Sequence, residues 1–100
     1  MSEKIMPVSF TDRAVAEVKN IISSKKIPVD YGLRVGVRGA GCAGVSFLLG
    51  FDRKKDQDDE FELEGIRIYI EKKSTLYLAG QQVDFYNGDE ARGFIFTAEK

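Results

Sequence analysis

One cysteine, Cys42, sits in the run Arg38-Gly39-Ala40-Gly41-Cys42-Ala43-Gly44. Glycines at 39, 41 and 44 leave little side-chain bulk around the sulfur. They also allow close backbone approach that an ordinary residue mix would block. A thiol in such a loop can be reached by a metal, a cluster or another thiol. The thiolate is the ligand and the nucleophile, and a free cysteine ionises near pH 8.5. Successive N–H groups of a glycine-rich turn favour the anion. Two readings stay open for Cys42, a small buried hydrophobe or an accessible thiol, and the flanking glycines favour the second.

The rest of the composition narrows the chemistry. The chain has no His, no Trp and no second Cys. A cysteine hydrolase needs a base, usually His, so an enzyme is not expected. Gly39-Ala40-Gly41 is followed by no Gly-Lys-Ser/Thr and is not a phosphate loop. The runs Asp58-Asp59-Glu60 and Asp89-Glu90 read as solvated loop charge. The formal net charge is −1, which gives no basic stripe for nucleic acid. No apolar run approaches the roughly 20 residues of a membrane span. The N-terminus does not read as a signal peptide, and a single cysteine makes no intrachain disulfide; a cytoplasmic domain is expected.

The elements that must hold this loop follow from periodicity. Residues 1–8 read as an extended lead-in, 9–97 as one domain and 98–100 as a tail. Ser9 or Thr11 caps a helix starting near Asp12. Its apolar face is Ala14, Val15, Val18, Ile21 and Ile22, and Pro28 is expected to stop it. The period then changes to two: Leu33, Val35 and Val37, and after the loop Val45, Phe47, Leu49 and Phe51. Two strands with Cys42 near the tip of their hairpin are predicted. Arg34 and Arg38 are assigned to the solvent face of the first strand. Asp52 to Glu60 is predicted as a charged, solvated loop. Strands at Phe61–Leu63 and Ile66–Ile70 follow, turned by Glu64-Gly65. A short helix over 73–79 ends at Gly80. Strands at Val83–Phe85 and Phe94–Phe96 flank Asn87-Gly88. The fold class is mainly β with an N-terminal helix and a short second helix, of α+β character: a sandwich or curled mixed sheet under the first helix.

The stretch from Tyr31 to Gly44, read as GLRVGVRGAGCAG from Gly32, resembles the first cysteine motif of the HesB/IscA-like A-type iron–sulfur carrier family. Ser9-Phe10-Thr11-Asp12-Arg13-Ala14 resembles that family's helix start. Gln82-Val83-Asp84-Phe85 and Gly93-Phe94-Ile95-Phe96 resemble its late strands. The resemblance implies a HesB-like β-rich domain, usually dimeric or tetrameric, that binds iron or an iron–sulfur cluster and passes it to apo-proteins of the assembly machinery. It implies Cys42 as a metal ligand, with Gly39, Gly41 and Gly44 shaping its loop. Two further cysteines of a C-terminal Cys-Gly-Cys segment normally complete the family's site, and they have no counterpart before Lys100. A cluster is normally held by four thiolates, so the resemblance implies a [2Fe-2S] or [4Fe-4S] cluster, or iron alone, at a labile site shared between chains. Other chains, small thiols or an oxygen ligand such as Glu99 would complete it. The competing expectations are an interaction module of the assembly machinery with a degenerate site, a single-thiol redox sensor, or a piece of a longer chain that carries the missing cysteines.

Overall fold

The computed structural model describes residues 6–41, 44–89 and 92–98; for 39–41 and 44–46 it describes the backbone alone. Seven strands and two α-helices follow in order: β1 Val8–Phe10, α1 Asp12–Ser24, β2 Tyr31–Gly41, β3 Gly44–Arg53, β4 Asp58–Leu63, β5 Ile66–Glu71, a 3-10 turn Lys72–Ser74, α2 Thr75–Leu78, β6 Gln81–Asn87 and β7 Arg92–Ala98. Two sheets form. One has the order β3-β2-β5-β4 and the other β1-β6-β7. The predominance of strands and the two helices match the class expected from periodicity.

The helix begins where its cap dictates. The Ala14 N–H donates to Thr11 Oγ1 at 3.2 Å, which satisfies one of the donors a helix start leaves open. Asp12 occupies the first turn, where a carboxylate meets the positive end of the dipole. Ala14, Val15 and Val18 are buried. The stop differs from expectation. The helix ends at Ser24, and Lys26 takes a left-handed φ of 51°. A residue in that region cannot continue a right-handed helix, so the chain has already turned before Pro28.

The period-two pattern of β2 and β3 maps onto two faces. Leu33 pairs with Phe51, Val35 with Leu49 and Val37 with Phe47. On the other side of β2, Leu33 lies beside Ile68 and Val35 beside Ile70, in parallel. These residues join Val8, Val83, Phe85, Leu78 and the α1 side chains in one core. Phe47 on β3 stacks on Phe96 of β7 at 4.7 Å between centroids, tying the two sheets together. Val8–Phe10, part of which was assigned to the lead-in, pairs parallel with Gln81–Val83 as β1. A three-residue strand carries too little alternation to be recognised by period.

Turn residues behave as their chemistry requires. Glu64 and Gly65 both have positive φ, 50° and 85°, and connect paired Leu63 and Ile66. Positive φ at both central positions fits the type I′ turn, whose twist suits a two-residue hairpin. Gly80, at φ 81°, follows α2 and redirects the chain into β6.

Gly32 is required for another reason, close approach. A Cβ built there would lie 2.6 Å from Tyr69 Cε2 and 3.0 Å from the Arg67 carbonyl oxygen. Tyr69 is only 2 % exposed and has little room to retreat. Gly32→Ala is expected to lower the free energy of unfolding by about 1–3 kcal/mol, the usual cost of overpacking a close-packed site. Urea unfolding measures it, and an unchanged midpoint would show that the Tyr69 ring can move aside freely.

Candidate functional site

The hairpin of β2 and β3 extends beyond the sheet that anchors it. β5 pairs with β2 only from Leu33↔Ile68 to Val35↔Ile70. The chain then leaves as the 3-10 turn, with Ser74 beside Gly36. From Arg38 to Gly41 the strand partners of β2 among the described residues come from β3 alone. At about 3.3 Å per residue this is a two-stranded arm about 10 Å long. Its register shifts between Arg38 and Gly41, an irregularity of the bulge type. Bulges twist and re-aim a ribbon and are common at functional edges. Gly41 and Gly44 are the last strand partners of this pairing. Cys42, the residue assigned to metal, lies outside the described residues. Gly39, Gly41 and Gly44 were assigned to a loop; their backbones lie in β2 and β3, so the strands run closer to the cysteine than alternation alone suggests. Arg38 is exposed, as expected.

The base of the arm is clamped by a buried ion pair, which corrects two sequence expectations. Arg34 does not line the solvent face, and Asp58 is not solvated loop charge. The side chains are 16 % and 1 % exposed. Arg34 Nη1 donates to Asp58 Oδ1 at 2.7 Å and Nη2 to Asp58 Oδ2 at 2.6 Å. The same Nη2 donates to the Arg53 carbonyl at 2.8 Å. Asp58 Oδ2 also accepts from the Lys55 N–H at 2.7 Å, and Arg34 Nε lies 3.3 Å from the Asp52 carboxylate. β3 and β4 are opposite edges of their sheet. Residues 54–57 must therefore cross its width, and one guanidinium on the inner strand β2 grips both ends of the crossing. A planar fork matches a carboxylate in two bonds at once, which Lys cannot do. The Arg34 hydrogen bonds are the leading cause holding the Asp58 carboxyl below its ordinary range.

A second cluster fastens α1 to β6. Asp84 Oδ1 accepts from Thr11 Oγ1 at 2.7 Å and from its neighbour's Phe85 N–H at 2.7 Å. Asp84 Oδ2 accepts from Arg13 Nη2 at 2.6 Å. The Thr11 hydroxyl, followed by the Arg13 guanidinium, holds this carboxyl below its ordinary range. Thr11 thus serves two elements, as helix cap and as donor to the neighbouring strand. Among the described residues no group of three acidic side chains gathers as a metal site, and no helix is long and apolar enough to cross a membrane.

Comparison with known proteins adds to this geometry. A family model described as iron-sulphur cluster biosynthesis matches residues 6–99. The chain belongs to that family. The iron–sulfur cluster assembly 1 homolog, mitochondrial, of Danio rerio is 39 % identical over 91 residues, covering 90 % of this chain and 69 % of that protein. The iron–sulfur cluster insertion protein ErpA of Sodalis glossinidius is 38 % identical over 93 residues, covering 92 % and 81 %. The fold resembles that of Escherichia coli SufA, involved in biosynthesis of iron–sulfur clusters, with a TM-score of 0.77 at 23 % identity over 98 % of this chain and 85 % of that one. It also resembles IscA with its [2Fe-2S] cluster, with a TM-score of 0.68 at 23 % identity over 91 % and 81 %. As a member of the iron-sulphur cluster biosynthesis family, this A-type carrier relative has its general function in that process.

Proposed function

We propose that this chain is a carrier and not an enzyme. It takes iron or an iron–sulfur cluster as cargo on Cys42 and passes it to apo-proteins of the assembly machinery. The observation that supports this reading is the hairpin arm: the strands flanking Cys42 continue past the last β5 pairing as a two-stranded ribbon. Each copy of this sequence offers one thiolate and no imidazole. Four-thiolate coordination therefore calls on more than one copy or on ligands from elsewhere. A dimer with facing arms supplies two thiolates and a tetramer four, with small thiols or an acceptor's cysteines in the open positions. Such a site releases cargo readily, because an incoming acceptor thiolate displaces a weakly held ligand. The reduced thiol suits the cytoplasm, where disulfides are rare.

Anaerobic loading with ferrous iron and sulfide tests the reading. The wild-type protein should take on visible charge-transfer absorbance and pass it to an apo-ferredoxin on mixing. A colourless, iron-free product from repeated loading would overturn it.

A further inference from the structure

The chain holds two asparagines, Asn20 and Asn87, in opposite settings. Asn20 lies inside α1 and is followed by Ile21. There the next amide belongs to the helix ladder, and a β-branched side chain crowds it. Asn87 is the last residue of β6, is exposed, and is followed by Gly88. Strand pairing with β7 ends at Asn87↔Arg92, so Gly88 already lies outside the ladder. Among the described residues no hydrogen-bond partner holds the Gly88 N–H.

Packing requires glycine at position 88. A Cβ built there would collide with the Tyr86 phenol. With no side chain on residue 88, nothing shields its nitrogen from the side-chain amide of Asn87.

We propose that Asn87 is a self-modification site, which deamidates through a cyclic imide closed by the Gly88 nitrogen. The Gly88 N–H gives its proton to hydroxide or water. The nitrogen attacks Asn87 Cγ, and the side-chain amide leaves as ammonia. Water then opens the five-membered imide at either carbonyl. One opening gives aspartate. The other gives isoaspartate, in which the backbone runs through the former side chain. One water is consumed and one ammonia released, with no oxidant or metal involved.

Both products place a carboxylate where the chain had a neutral amide, and that charge lands beside an existing contact. Residues directly opposite in an antiparallel pair project to the same face, so residue 87 stands across from Arg92. Arg92 bridges Glu17 of α1 at 3.6 Å and lies over the Phe85 ring at 5.5 Å. Asn87, Glu17 and Phe85 line one open groove. A carboxylate at 87 competes with Glu17 for the Arg92 guanidinium and loosens the tie between α1 and β7.

The iron-free, reduced protein suffices for the test, so its outcome is independent of the proposed role of Cys42. After ageing at mildly alkaline pH and physiological temperature, peptide mapping by mass spectrometry should find amide nitrogen exchanged for oxygen at Asn87 and not at Asn20. An isoaspartyl carboxyl methyltransferase with a labelled methyl donor is the probe for isoaspartate. It should label the aged wild type, and neither the fresh protein nor aged Asn87→Gln. Gly88→Ala combined with Tyr86→Ala, which removes the ring a new Cβ would meet, should slow the conversion about tenfold or more, because the Cβ hinders the attack and restricts the backbone. In Asn87→Asp the side-chain resonances of Arg92 and Glu17 should shift, and unmoved resonances would overturn the competition for Arg92. The proposal is overturned if Asn87 survives ageing as intact as Asn20, if aged Asn87→Gln is labelled equally, or if the Tyr86→Ala/Gly88→Ala protein converts at the wild-type rate.

Discussion

Asp58→Ala should lower the free energy of unfolding by about 3–5 kcal/mol, the usual effect of removing one partner from a buried, hydrogen-bonded pair. The carboxylate is 1 % exposed and accepts two bonds from Arg34 and one from the Lys55 N–H. Its removal leaves a mostly buried guanidinium and a backbone donor without their acceptor, and each carries a desolvation cost. Arg34→Met with Asp58→Leu removes both charges together and should recover part of the loss. Denaturant unfolding checks both variants. A loss below about 1 kcal/mol in Asp58→Ala would mean that water replaces the carboxylate and that the crossing of residues 54–57 is held by other contacts.

Acid acts on the same pair. The Asp58 carboxyl is held below its ordinary range by Arg34 in the folded state, so the unfolded chain takes up its proton first. The stabilisation is complete above the ordinary aspartate value of about 3.9 and is lost as pH falls through the depressed folded value. Asp52, lowered first by the Arg53 N–H, and Asp84, lowered first by Thr11, act in the same direction. Unfolding midpoints should therefore fall as pH drops below about 4, and the Asp58-dependent part of that slope should vanish in Arg34→Met/Asp58→Leu.

Cys42→Ala should reduce the iron retained through anaerobic desalting by tenfold or more and abolish the visible absorbance. The chain has no other thiolate and no imidazole to take over, and carboxylates are poor substitutes for sulfur toward iron–sulfur clusters. Stability distinguishes this role from that of a buried small hydrophobe. Deleting a well-packed buried group costs about 1 kcal/mol or more. A carrier thiol that waits for cargo should cost less than that in the iron-free protein. Cys42→Ser provides a second check, because it keeps nearly the same volume and should lose cargo equally.

Local chemistry was legible in the residues. Thr11 capping α1, the alternation along β2 and β3, and the Glu64-Gly65 turn all rest on neighbours within a few positions. What escaped periodicity rests on distant partners. Arg34 and Asp58 are 24 residues apart, and nothing near either one shows that the crossing from β3 to β4 brings them together. The alternation rule places Arg34 on the face away from the core, which is correct, but that face is covered by the same crossing. Charge density likewise suggested a solvated loop over 52–60, although Asp52 and Arg53 finish β3 and Asp58–Glu60 begin β4. The length of the hairpin arm was also hidden. Glycines at 39, 41 and 44 read locally as loop, and only the register with β3 shows that they lie in the strands.

The carrier role proposed for Cys42 requires that it hold cargo jointly with another chain. Native mass spectrometry of the anaerobically loaded protein tests it directly. Iron and sulfide mass should appear on species of two or more copies, and Cys42→Ala should carry none at any size. Cargo on a single copy, or equal loading of Cys42→Ala, would contradict it.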